Sequence, residues 1–140
     1  MPVAAIPLED RLAIEDLAVA YCTAVDRIGD VDGVATLFTE GGVYDLAELG
    51  LGHFEGRAAI RGFFAGAFPT MAHNAHFLSN FALVDYAADG ATAQAYVHGY
   101  SRGTDGSDLE VKARYTFDVV RETESWKIAR VGVKMLIPTG

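Results

Sequence analysis

Among the residues of this chain that could move a proton, those whose placement suggests a site are Asp26, the histidines His53, His73, His76 and His98, and several of the six tyrosines. Asp26 falls in the last turn of a helical stretch, where the negative end of the macrodipole disfavours a carboxylate by about 0.3 to 1 kcal/mol. Two arrangements offset that cost: a solvated carboxylate screened by Arg27, or a carboxylate that accepts a hydrogen bond from an imidazole in a pocket. His73 and His76 are an odd number of residues apart, so on one strand they point to opposite faces and one of them at most enters a pocket. His76 shares its face with Leu78 and Asn80, whereas His73 falls near the start of the strand. The same parity is wrong for two ligands of one metal, and no carboxylate cluster completes a coordination shell, so no metal is expected. An imidazole held beside a carboxylate removes a carbon-bound proton with its free nitrogen, while the carboxylate fixes the tautomer and stabilises the imidazolium. Returning that proton to a departing hydroxyl gives elimination of water, and returning it to another carbon gives isomerisation.

Tyr21 precedes Asp26 by about 140° around an ideal helix, so helical geometry alone does not set the two side by side. Both line one pocket if a sheet curls around the helix end. Tyrosine hydroxyls aimed at a carbonyl would stabilise an enolate as it forms. Tyr44, Asp45, Tyr96, His98 and Tyr115 are weaker candidates for the pocket wall, their faces depending on strand register. Arg130 and Lys134 fall on one face of the last strand with Ile128 and Gly132, at an edge that is either solvated or part of the site. His53 lies in the glycine-rich LGLGHFEG, which reads as a surface hairpin.

The elements that must position these residues follow from periodicity. From Leu8 to Ile28, Ile14, Leu17, Tyr21, Val25 and Ile28 recur at helical spacing, with acidic residues in the first half. Gly29 stops this helix, Asp30 caps the next, and Val34, Leu37 and Phe38 give a short second helix before a break at Gly41-Gly42. Val43 to Glu48 and Leu51 to Glu55 read as short strands, and Arg57 to Ala67 as a third helix ended by Pro69. From His73 onward four long antiparallel strands are divided by turns at Ala88-Asp89-Gly90, Thr104 to Ser107 and Glu122 to Ser125. On the third of these, Val111, Ala113, Tyr115, Phe117 and Val119 alternate with polar residues, so the sheet has a dry and a wet face. The order ααββαββββ implies an α+β domain spanning residues 1–140, in which a strongly curved, mostly antiparallel sheet wraps the long first helix as a cone-shaped barrel.

The stretches AIEDLAVAYCTAVDRIGDVDGVATLF, GRAAIRGFF, HNAHFLSN and SWKIARVGV, in this order, resemble the SnoaL-like branch of the nuclear transport factor 2-like superfamily over nearly the whole chain. Within that branch, the Tyr21-x4-Asp26 spacing and the His76-Phe77 pair resemble scytalone dehydratase, bile-acid 7α-dehydratase and hexachlorocyclohexane dehydrochlorinase. The resemblance implies a catalytic pair of Asp26 and His76, with Tyr21 binding or polarising a substrate oxygen. It further implies a basic residue in the region of Arg130 or Lys134; Asn80, on the face of His76, is a further candidate for substrate binding. The second histidine and the Ser/Asn pair of scytalone dehydratase have no counterparts, Arg114 and Thr116 falling near that pair, so scytalone itself is not the expected substrate. The implied activity is that of a cofactor-independent lyase or isomerase, foremost a dehydratase, acting on a small apolar carbonyl compound of polyketide, steroid or aromatic type. The superfamily also holds binding and accessory proteins, such as the small subunits of ring-hydroxylating dioxygenases, because fold alone does not fix function.

The bulk properties narrow the partners. The 140 residues are 51% hydrophobic and 21% charged, enough for one domain with a core. A net charge of −8 repels phosphate backbones and anionic membranes, so nucleic acid and membrane are not expected partners. Cys22 is the sole cysteine, which excludes an internal disulfide and fits a reducing cytoplasm. No glycine cluster has a phosphate-loop or dinucleotide fingerprint, so no organic cofactor is expected. The first residues lack a signal-peptide pattern and no apolar run reaches a membrane span, so a soluble, unprocessed chain is expected. Val131, Val133 and Met135 lie on one face of the last strand, and that face is expected to pair with a second copy in a homodimer.

Overall fold

A computed structural model describes residues 5–138 of the chain. The first helix, α1 (Leu8–Asp26), buries Ile14, Leu17, Tyr21 and Val25 along one stripe, with Ala18 and Cys22 beside them. It ends where Ile28 and then Gly29 take positive φ, at 27° and 117°, and the second of these is a geometry that glycine adopts without strain. Asp30 caps α2 (Val31–Ala35) by accepting a hydrogen bond from the Gly33 backbone N–H at 2.9 Å.

The strands β1 (Phe38–Leu46) and β2 (Gly52–Glu55) form a hairpin that is followed by α3 (Arg57–Ala67). Then come β3 (Met71–Ala87), β4 (Gly90–Gly103), β5 (Asp108–Glu122) and β6 (Ser125–Ile137). They form one six-stranded sheet in the order β2-β1-β6-β5-β4-β3, in which β1 and β6 run parallel and the other neighbours antiparallel. The inner face carries Ala93, Ala95, Val97, Val111, Ala113, Phe117 and Val131, all buried. Where α1 passes β1 and β5, Tyr21, Phe38, Tyr44 and Phe117 meet mostly edge to face, with centroids 5.8 to 6.3 Å apart.

Three expectations are corrected by irregularities that residue spacing does not display. Gly41-Gly42 does not break the chain: β1 runs through it, with a register shift between Phe38 and Val43, and the second helix stops at Ala35. On β6 an extra residue at Ala129 shifts the alternation, so Ile128 and Val131 both face inward. Arg130 is therefore turned to the outer face. For the same reason Val131, Val133 and Met135 oppose the inward residues Phe117, Tyr115 and Ala113 and pack on the core, so they are not an outer surface for a second copy. The large apolar side chains exposed on β3 and β4 are instead Phe77, Val84, Tyr96 and Tyr100.

Candidate active site

The edge strand β3 closes the C-terminal end of α1. The last helical carbonyls lack intrahelical partners, and the Asn74 side-chain Nδ2 donates to the Val25 carbonyl at 3.2 Å. Two residues on, the His76 backbone N–H donates to Asp26 Oδ2 at 2.9 Å, and His76 Nδ1 lies 2.5 Å from Asp26 Oδ1. A sheet edge normally leaves backbone donors unpaired; here one of them grips the carboxylate. The macrodipole cost of an aspartate at this helix end is thus offset by two donors from one residue, each strengthened by the acceptor's charge.

Both side chains are largely enclosed, His76 at 13% and Asp26 at 26% exposure. A carboxylate accepts but does not donate, so Nδ1 carries the proton and Nε2 is left with its lone pair. The ring lies over Gly99 of β4, its cross-strand partner, where an added Cβ would meet His76 Cδ2 at 3.3 Å and Nε2 at 3.5 Å. The absent side chain at position 99 is what admits the imidazole.

His76 borders a cavity of about 80 Å³ between the end of α1, the hairpin, α3 and the inner face of the sheet. Its wall is mainly apolar, with Val25, Leu46, Phe63, Phe64 and Val111, and its polar members besides His76 are Tyr44, Tyr115, Asn74, Ser101 and Tyr100. Among the described residues no lysine or arginine lines it. Tyr44 Oη lies 2.5 Å from Tyr21 Oη. Burial drives the hydroxyls of Tyr21, Tyr44 and Tyr115 well above their ordinary value, so all three remain protonated donors. Cys22 is buried, and burial pushes its thiol up to about 12, which removes it as a nucleophile.

Of the residues singled out from sequence, Asp26, His76, Tyr44 and Tyr115 meet at or beside this cavity. Tyr21 does not line it: the ring is fully buried in the core, at 0% exposure, and reaches the cavity through Tyr44. Asn80 falls in a bulge of β3, at φ 53° and exposed, which takes it off the face of His76. Tyr96 and His98 alternate with the buried Ala95, Val97 and Gly99, so they face outward, where His98 Nε2 lies 2.7 Å from Glu110 Oε2. Arg130 is paired with Asp45 at 2.7 Å on the outer face, and Lys134 lies exposed, 3.5 Å from Glu48. His73 lies exposed outside the cavity, and His53 lies half-exposed between Asp45 and Glu55. Asn74, Gly99 and Ser101 were not anticipated. Asn74 has a usable signal, since it is two residues from His76 and must share its face. Among the described residues no cluster of three or more histidine, cysteine or acidic residues could hold a metal ion, and no helix is long and apolar enough to cross a membrane.

A cone of curved sheet around a long helix, with one mainly apolar cavity at the helix end, is the nuclear transport factor 2-like fold. Within it the chain belongs to the SnoaL-like domain family, whose profile matches residues 7–132. A solved structure from Novosphingobium aromaticivorans, named as a candidate aromatic ring hydroxylase, is 46% identical, with a TM-score of 0.93 over 96% of this chain and 94% of that one. A candidate scytalone dehydratase from the same organism is 22% identical, with a TM-score of 0.84 over 93% and 86% of the two chains. A hexachlorocyclohexane dehydrochlorinase is 20% identical, with a TM-score of 0.81 over 93% and 87%. At these last two identities the likeness is one of fold. A comparison with curated proteins gives no match.

Proposed function

We propose that the protein is a cofactor-independent lyase of the dehydratase type, in which His76 and Asp26 carry out acid-base chemistry on a small, neutral carbonyl compound. The observation that carries this reading is the double grip of His76 on Asp26, which leaves Nε2 as an accessible base over Gly99 at the wall of an apolar cavity. Nε2 removes the proton from the carbon next to the carbonyl, and Asp26 stabilises the imidazolium that forms. The electron pair of that C–H bond moves toward the carbonyl oxygen, where Tyr44 and Tyr115 supply donors. Tyr21 has no hydrogen-bond partner other than Tyr44 among the described residues. With Tyr21 donating to Tyr44, the Tyr44 proton is left for the ligand. The imidazolium then returns its proton to a hydroxyl on the next carbon, the C–O bond breaks, and water leaves. The names of the dehydratase and dehydrochlorinase among the structural neighbours support the reading, as eliminations are what those proteins are named for.

The test is formation of the conjugated enone from an aryl β-hydroxy ketone, followed by absorbance. His76→Ala and Asp26→Asn are each expected to lower kcat by about 10² to 10⁴. The double variant should be no worse than His76→Ala, because the two residues act as a unit. Turnover near the wild-type rate in both single variants would place any catalysis elsewhere and leave a binding protein.

A further inference from the structure

The polar groups beside His76 bear on which group leaves. Asn74 precedes His76 by two residues on the inner face of β3 and pairs across with Ser101 of β4, as His76 pairs with Gly99. Both Asn74 and Ser101 line the cavity. The Asn74 amide is already committed at one end, since Nδ2 donates to the Val25 carbonyl. An amide carries its donors on nitrogen and its acceptor on oxygen, so what remains for a ligand is the acceptor, Oδ1. Among the described residues neither Asn74 Oδ1 nor Ser101 Oγ has a protein hydrogen-bond partner. Same-face neighbours on a strand are about 7 Å apart at Cα, so one ligand oxygen between them can meet both Oδ1 and Nε2 of His76.

Building on the acid-base reading above, we infer that Asn74, assisted by Ser101, forms the subsite of the leaving group and selects a hydroxyl. A hydroxyl that donates its proton to Asn74 Oδ1 turns its lone pairs toward His76. When the imidazolium gives up the proton it took from carbon, that oxygen receives it. The C–O bond breaks with its electron pair going to oxygen, the enolate pair closes the C=C bond, and water is released, so protons and electrons balance. A halide or an ether on the same carbon has no proton to donate and leaves Asn74 Oδ1 unpaired in a half-closed site, which is costly for a polar atom. With no lysine or arginine among the described residues of the wall, nothing there matches a carboxylate or phosphate on the ligand. The substrate class is therefore an uncharged β-hydroxy carbonyl compound.

The experiment compares kcat/KM for two aryl ketones that differ in a β-hydroxyl against a β-fluoro substituent. Both give the same enone, and spontaneous loss is subtracted. The wild type should favour the hydroxyl compound, and Asn74→Ala should lower the hydroxyl-to-fluoro ratio by about tenfold, the value of one hydrogen bond. Asn74→Ala also removes one of the two donors to the Val25 carbonyl, the Ile28 backbone N–H remaining, but damage to α1 lowers both substrates together and leaves the ratio alone. If that variant does not fold, Ser101→Ala carries the same comparison, with a severalfold fall expected. An active wild type whose ratio is unchanged by the folded variants overturns this inference alone. A wild type inactive on both ketones removes the acid-base reading beneath it.

Discussion

Adding carbon at position 99 probes the site without touching a proton-carrying group. The new methyl of Gly99→Ala would sit 3.3 Å from His76 Cδ2 and 3.5 Å from Nε2, whereas carbon atoms pack best at about 3.5 to 4.0 Å. The ring must give way by a few tenths of an ångström, against a 2.5 Å bond to Asp26 on its other side. A misplacement of about 1 Å can cost 10²-fold in rate, so a shift of this size should cost about threefold to tenfold in kcat. Gly99→Val adds branches that reach further into the ring and should lower kcat by about 10² or more. Stability should respond less, because Gly99 does not hold a left-handed φ and a side chain there narrows the unfolded ensemble by about 0.4 to 1 kcal/mol. Gly66→Ala on α3, where an added Cβ meets nothing within 4 Å, is the control and should leave kcat unchanged. The assay is steady-state enone formation with a thermal melt of each variant. If Gly99→Val folds and keeps wild-type kcat, His76 does not act from the position over Gly99, and the reasoning fails.

Two further outcomes concern stability and assembly. Asp10 is held below its ordinary carboxyl value of 3.8, first by the hydrogen bond from Tyr86 and then by that from Arg121. Its contribution to stability is therefore complete above that value and is lost as pH falls below it, through the lower folded value. Thermal midpoints of Asp10→Asn should accordingly vary less between pH 5 and pH 2 than those of the wild type. The protein should also self-associate through the outer face of β3 and β4, where Phe77, opposite His98, is 60% exposed and Tyr96 is exposed as well. Light scattering at micromolar concentration should give a mass above the 15.0 kDa of one chain, and Phe77→Glu with Tyr96→Glu should return it to one chain.

The first and third helices were the most legible part of the fold, because Ile14, Leu17, Tyr21 and Val25 repeat at 3.6 residues, and the run Arg57 to Ala67 is observed with those same bounds. The opposite facing of His73 and His76 was legible too, since strand parity holds wherever no bulge intervenes. It fails where one does. The extra residue near Asn80 and the one at Ala129 each reverse the facing of the strand beyond them, so Asn80 left the face of His76, and Arg130 and Lys134 that of Ile128, on which parity had put them. Tyr96 and His98 were assigned to the wrong face for a related reason: most inward residues of β4 are alanines and Gly99, too small to mark the buried face against the aromatic residues between them. Gly99 and Ser101 gave no signal in the sequence, because one acts by lacking a side chain and the other by its place opposite Asn74.

The most direct test of the central claim removes the leaving group altogether. An aryl ketone without a β-substituent, saturating the protein in D2O, can undergo only the first step, exchange of the proton next to its carbonyl, which nuclear magnetic resonance follows as loss of that signal. If His76 is the base, the wild type should exchange that proton at least about 10² faster than buffer, His76→Ala should fall to the buffer rate, and Asp26→Asn should lie between them. Exchange at the wild-type rate in His76→Ala, or a saturated wild-type complex that exchanges no faster than buffer, would contradict it.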